Sequence, residues 1–288
     1  MKNYLELLQD IIDSGSDTDQ ERTGVGTRKV FDRTLRFDLQ KGFPILTTRK
    51  VALRIAFEEL MWMLRGQTDA NILKDKNIHI WSGNTTKEFQ AQRGLSHLKE
   101  GDIGKGYGWQ MRNYGAEADL LGSPIGGVDQ LKEAYDSITS DPHGRRHIMS
   151  YWNPKQLHEA VLPPCHLYCQ FVVIGQKLNL SWVQRSVDTP YGLPYNIMFY
   201  SLLLTFMARI TGYELGEVVF HGIDVHVYKN QIAMVKEQLS RAPKVLPTVL
   251  LSEDIKTFEN MLGMDYKDIV LVGYDPHPDI KNKPKMAV

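Results

Sequence analysis

Leu162-Pro-Pro-Cys-His166 is the segment best suited to covalent chemistry. Two prolines fix the backbone just before a cysteine that opens a strand pattern, so the thiol is expected at a sheet edge. A thiolate there adds to an electrophilic carbon when neighbouring cations lower its pKa. The bland alternative is a small buried hydrophobe. Adjacent strand residues face opposite ways, so Cys165 and His166 are not expected to form a protease-like dyad. Cys169 is expected to fill core space.

Arginines supply the second pattern. Arg22 lies in the Gly-rich turn Glu21-Arg-Thr-Gly-Val-Gly-Thr27, Arg145-Arg146 precede one strand pattern, and Arg185-Ser186 end another. Forked guanidinium donors, a hydroxyl and close backbone amides are what a phosphate dianion requires. A solvated surface is the competing reading for any one of them.

Asp188-Thr-Pro-Tyr-Gly-Leu-Pro-Tyr-Asn196 is a shaped loop before an apolar helix. Asn196 is either a helix cap or a paired donor and acceptor for a pyrimidine edge. Downstream, Asp224, His226 and Tyr228 alternate along a short strand and point one way, suited to a sugar hydroxyl. Glu59 sits in the apolar run Ile55–Leu64, where partial burial would raise its pKa and let it relay protons through water. Helix-surface decoration is the alternative for Glu58 and Glu59.

The elements that must position these groups follow from periodicity. Tyr4, Leu7, Leu8, Ile11 and Ile12 predict a helix stopped by Gly15. Val30, Phe31, Leu35 and Phe37 predict a strand, residues 51–65 a buried helix, and 81–127 loops with short helices. A helix is expected from Gly127 to Ser140. Strands follow at His147–Trp152, His166–Ile174 and Leu178–Val187, the last two joined at Gly175-Gln176 as a hairpin. Then come a helix Tyr195–Ile210, a strand near Val218–Phe220 and a helix Tyr228–Leu239. No internal repeat or linker interrupts the pattern, so residues 1–288 read as one α/β domain with a large sheet.

Composition bounds the rest. The chain has 288 residues, 34 Lys+Arg against 34 Asp+Glu, and is 42% hydrophobic and 24% charged. That balance is globular rather than disordered and gives no support to broad nucleic-acid or membrane-surface binding. Two cysteines are too few for a disulfide framework. The N-terminus is not a signal peptide, and the apolar run Ile197–Ile210 is too short to span a bilayer. A soluble protein of the reducing cytoplasm is expected.

Taken in order, these segments resemble the thymidylate synthase family over nearly the whole chain. Matching pieces include Gly42-Phe-Pro44, Thr47-Thr48, Glu59-Leu-Met-Trp62, Leu64-Arg-Gly66, Ile80-Trp81, Tyr107-Gly108 and Gln110. Gly127-Val-Asp-Gln130, Trp152-Asn-Pro154, Leu162–His166, Gln184-Arg-Ser186, Leu193-Pro194 and Asn196-Ile197 complete the set. The resemblance implies a single mixed-sheet domain flanked by helices and a homodimer joined through the sheet faces. It implies deoxyuridylate (dUMP) and 5,10-methylenetetrahydrofolate as substrates, with no metal. It makes Cys165 the nucleophile toward uracil C6, with Glu59, Tyr107, His166 and Asp188 assisting. Arg22, Gln184, Arg185 and Ser186 would hold the nucleotide, with Arg145 and Arg146 reaching across from the partner subunit. Asn196 would read the uracil edge, and His226 and Tyr228 the deoxyribose hydroxyl. Ile80, Trp81, Asn84, Asp188, Tyr191, Gly192, Tyr195, Ala287 and Val288 would form the folate side.

Asn196 favours uracil over cytosine, since related cytidylate enzymes carry Asp there. Departures from the family pattern lie at Asp188-Thr-Pro-Tyr-Gly192, Tyr195, Gly104-Lys-Gly-Tyr-Gly108, Gln110-Met-Arg112, Ser150-Tyr-Trp-Asn153 and Ile223. Tyr191 and Tyr195 are expected to add hydroxyls to an apolar folate wall. A wetter wall would favour water over hydride at the last step and give a deoxyuridylate hydroxymethylase. Trp81 and the terminal Met-Ala-Val favour the synthase. An inactive RNA-binding or scaffold homologue is disfavoured by the presence of Cys165, Arg185 and Asn196.

Overall fold

The computed structural model describes residues 1–19, 23–119, 122–281 and 283–284. Tyr4, Leu7, Leu8 and Ile11 form the buried stripe of α1 (Lys2–Ser14), which ends at Gly15. β1 (Ser16–Thr18), β2 (Thr27–Asp38), α2 (Leu53–Leu64), α3 (Asn71–Asp75), α4 (Lys87–Gln92) and α5 (Tyr107–Asn113) follow. Next come the short pair β3 (Glu117–Ala118) and β4 (Pro124–Ile125), α6 (Gln130–Ser140), β5 (Ile148–Ser150) and β6 (His166–Ile174). β7 (Lys177–Asp188), α7 (Gly192–Thr211), β8 (Glu214–Tyr228) and α8 (Ile232–Leu239) complete the central body. β9 (Thr248–Leu251), α9 (Phe258–Leu262) and β10 (Ile269–Val272) lie beyond it.

A six-stranded sheet runs β1-β2-β8-β7-β6-β5. Its neighbours are antiparallel except β7 and β8, which are parallel. A parallel pair needs a long crossover, and α7 supplies it by packing back on both strands. That position explains its composition. Leu202, Leu203, Leu204 and Phe206 are each 0% exposed, so α7 is apolar on nearly every side. It meets α2 on its other flank, and between them the helices and sheet enclose one core.

Several expected boundaries move, each for a local reason. α6 starts at Gln130 because Gly126 and Gly127 hold left-handed φ values of 69° and 84°. Asp129 then caps it, accepting from the Lys132 amide. The strand expected near Val218–Phe220 and the separate one at Asp224–Tyr228 are one 15-residue strand, β8. Gly222, which breaks the apolar pattern, is a packing requirement, since a Cβ there would lie 2.4 Å from Phe220 Cζ. β8 runs through Tyr228, so the next α-helix begins only at Ile232. α7 spans 20 residues rather than the shorter run expected, long and apolar enough to cross a membrane by length and composition. Within this fold 83% of its apolar window is buried inside the protein. The antiparallel pair of β9 and β10 has no counterpart in the sequence expectations.

The register shifts between His166 and Tyr168, a bulge at the start of β6. It brings His166 and Cys169, three residues apart, both to buried positions at 7% and 0% exposure. Further along, Tyr168, Val172 and Ile174 alternate with buried Cys169, Phe171 and Val173. Ile148, paired with Gln170, joins that outer row. The sheet face turned away from α7 therefore carries exposed apolar side chains.

Leu203→Ala removes a fully buried α7 side chain and is expected to cost about 2–5 kcal/mol. Leu250→Ala, at an exposed β9 position, is expected to stay within about 0.5 kcal/mol. Urea denaturation of the two variants against the parent checks the contrast.

Candidate active site

A cavity of about 1150 Å³ opens where the start of β2 meets the ends of β7 and β8. Its other walls are α2, the segment after α3, and α5. Cys165, Glu59, Tyr107, His166 and Asp188, the five expected catalytic side chains, all line it. So do Gln184, Arg185, Ser186, Asn196, His226 and Tyr228. Ile80, Trp81, Asn84 and Gly192 also reach it.

The thiol is presented by a clamped turn. Arg185 Nε donates to the Pro164 carbonyl and Nη2 to the Pro163 carbonyl, each at 2.9 Å. The Arg185 amide donates to the Cys165 carbonyl at 2.8 Å, and the Cys165 amide to the Tyr107 hydroxyl at 2.7 Å. Arg185 Nη2 also lies 3.9 Å from Cys165 Sγ. The guanidinium stacks over Trp152, 5.5 Å from its ring centre. A fixed positive charge thus stands beside the sulfur, the arrangement that favours thiolate. Neither cysteine is in a disulfide. Cys169 fills core space as expected, in contact with the Tyr151 hydroxyl at 3.6 Å, and burial pushes its thiol up to about 12.

Acid–base groups line the same cavity as the thiol. Glu59 accepts from the Trp81 indole at 3.0 Å, and burial raises its carboxyl to about 7 despite that bond. Neighbouring Glu58 is instead neutralised by Lys76 at 2.6 Å. Trp81, Tyr107 and His166 continue as edge-packed rings with centres 6.1 Å and 5.3 Å apart. His166 bonds Tyr200 Oη through Nδ1 at 2.9 Å, and burial lowers it to about 4. Near neutral pH its ring is uncharged. Burial also raises the Tyr107 hydroxyl well above its usual value.

Asn196 is not a cap, because α7 already begins at Gly192. Gln184 Nε2 donates to Asn196 Oδ1 at 3.2 Å, which fixes the amide's orientation. Asp188 accepts from the Tyr191 amide at 3.2 Å and Gln231 at 3.4 Å, and burial raises its carboxyl. His226 and Tyr228 pack edge to face at 5.2 Å, as strand alternation predicts.

Not every expected residue converges. Tyr191 turns its hydroxyl to the Pro284 carbonyl at 2.6 Å. Neither Tyr191 nor Tyr195 is among the described residues that line the cavity. Arg145 and Arg146 are exposed and outside this chain's own cavity. Arg22, Ala287 and Val288 lie outside the described residues.

The cavity also holds Lys29 and Arg93, which the sequence reading passes over. Lys29 had a signal, standing two residues after Thr27 on the strand that follows the Gly-rich turn. Arg93, at the end of α4, had none.

A thymidylate synthase family profile matches residues 2–288. The chain is 42% identical over 290 residues to a bifunctional dihydrofolate reductase-thymidylate synthase of Zea mays, covering 99% of this chain and 54% of that protein. It is 41% identical over 283 residues to a thymidylate synthase of Human herpesvirus 8 type P (isolate GK18), covering 96% and 82%. A bifunctional relative from Leishmania major is 42% identical over 288 residues, covering 97% and 54%. The chain thus spans about half the length of the bifunctional relatives it matches. By the profile over almost all of its residues, the chain belongs to the thymidylate synthase family.

Proposed function

We propose that this protein transfers the one-carbon unit of 5,10-methylenetetrahydrofolate to C5 of dUMP, giving thymidylate and dihydrofolate. The observation that carries this reading is the meeting of the Cys165 thiol, the Glu59 carboxyl and the Asn196 amide in one cavity of about 1150 Å³. Uracil C5 is a poor nucleophile until a thiolate has saturated C6, so the covalent cysteine is chemically required. Addition of Cys165 leaves an enolate at C5 and O4 that attacks the folate methylene. Loss of the C5 proton then expels the folate amine and leaves an exocyclic methylene on the base. Hydride from tetrahydrofolate reduces that carbon, and the thiol departs. Glu59, half-protonated near neutral pH, is suited to giving and taking protons along this path. Ser186, Arg185 and Arg22 are the proposed phosphate ligands, His226 and Tyr228 the sugar contacts, and Ile80, Trp81 and Asn84 the folate side.

The active unit is proposed to be a homodimer formed through the exposed face of the sheet. Ile148, Tyr168, Val172 and Ile174 supply its apolar area, and Arg145 and Arg146 stand exposed to reach a partner's site. A reducing cytoplasm suits a mechanism that needs Cys165 as a thiol.

Incubating the protein with dUMP and methylenetetrahydrofolate should release dihydrofolate and a product with the mass of thymidylate. A product one oxygen heavier, with no dihydrofolate, would sink the synthase reading in favour of hydroxymethylation. Cys165→Ala is expected to abolish turnover and C5-hydrogen release together.

Glu59→Gln should lower kcat by about 10²-fold or more. The sign of its pH effect follows from the raised pKa. The protonated form is present below about 7 and lost above it, so proton donation by Glu59 fades as pH rises through that value. The parent kcat profile should show this alkaline limb and the Glu59→Gln profile should lack it.

Introducing charge on the outer sheet face, as in Val172→Asp with Ile174→Asp, should convert dimer to monomer. Light scattering reads the mass, and loss of turnover with the monomer would tie the site to assembly.

A further inference from the structure

Lys29 has no part in the reaction described above, yet it faces the same cavity. Its Nζ contacts Asp224 Oδ2 at 2.7 Å, and the other carboxylate oxygen, Oδ1, lies 3.0 Å from His226 Nδ1. The register builds this chain of contacts. Lys29 pairs with His226 across β2 and β8, and Asp224 lies two residues back along β8, so all three share one face.

An ionised carboxylate only accepts hydrogen bonds, so His226 Nδ1 must carry the proton. In the neutral ring Nε2 is then an acceptor, the form that receives a hydroxyl proton from a ligand. Asp224 is held ionised, its carboxyl lowered to about 2 by His226 first and by Lys29 as well. The Lys29–Asp224 pair is about 40% exposed on both sides, where ion pairs add little to folding stability. Its geometry is better explained by what it does to His226, which is itself buried.

We propose that Lys29 is a specificity-determining positioning residue: through Asp224 it fixes His226 with Nε2 as acceptor, so the site selects nucleotides with a free 3′-hydroxyl. The inference rests on the nucleotide reading of the cavity and deepens it. The rival role for a cavity lysine is direct neutralisation of phosphate. The two roles differ in which end of the nucleotide they sense.

Calorimetric binding of dUMP and of 2′,3′-dideoxyuridine 5′-monophosphate, without folate, separates them. Lys29→Met should weaken dUMP about tenfold, the size of one lost hydrogen bond, and leave the 3′-deoxy analogue unchanged. Lys29→Arg, which keeps the ion pair, should restore the parent's discrimination. Equal weakening of both nucleotides, or of neither, would overturn the proposal. ¹⁵N NMR of the ligand-free parent should show His226 protonated at Nδ1 only. A proton on Nε2 would overturn the proposal even if the nucleotide reading stands. Failure of the parent to bind either nucleotide would instead remove the nucleotide reading, and the specificity claim with it.

Discussion

The side chain of Arg185 does two jobs that few residues can combine. Its guanidinium closes on the carbonyls of Pro163 and Pro164 while its backbone amide holds that of Cys165. The prolines have no amide hydrogens, so the turn cannot bond through its own nitrogens there and needs an outside donor for its carbonyls. A rigid fork from the adjacent strand meets that need, and a flexible ammonium would not. The same cation then lies within 3.9 Å of the sulfur. Turn geometry and the charge beside the thiol are therefore one constraint, and the β6–β7 pairing that carries both is fixed by the core beneath it.

Around this clamp the cavity separates two titrating groups by environment. Burial moves both toward their uncharged forms, Glu59 up to about 7 and His166 down to about 4. Only Glu59 ends close enough to neutrality to exchange a proton readily, while His166 stays a neutral hydrogen-bonding ring. The overall charge balance of zero hides this local pattern entirely.

How much of this was legible in the sequence depended on whether the cause was local. The Pro-Pro-Cys turn was readable because proline constrains its neighbours directly. Asp224, His226 and Tyr228 were readable because strand alternation has a period of two. The Glu59–Trp81 bond, separated by 22 residues, and the Lys29–Asp224 bond, separated by 195, were not. Those depend on α2 and the segment after α3 converging, and on a strand pairing across most of the chain. For Tyr191 the loop's composition was clear, but the distant partner of its hydroxyl, the Pro284 carbonyl, was not. β9 and β10 are short, half-exposed and weakly patterned, and so left no periodic trace.

The pairing of β2 with β8 also has a consequence during synthesis. A nascent chain releases β2 about 190 residues before its partner, or roughly 10–40 s at ordinary translation rates. Through that interval β2 has its long hydrogen-bonding edge toward β8 unmet, and Phe37 and Leu35 lack the cover they have in the finished fold. The same strand later carries one wall of the cavity, so the cavity is complete only after β8 emerges. Holdase chaperones acting on this interval would set the yield of active protein without touching its final stability.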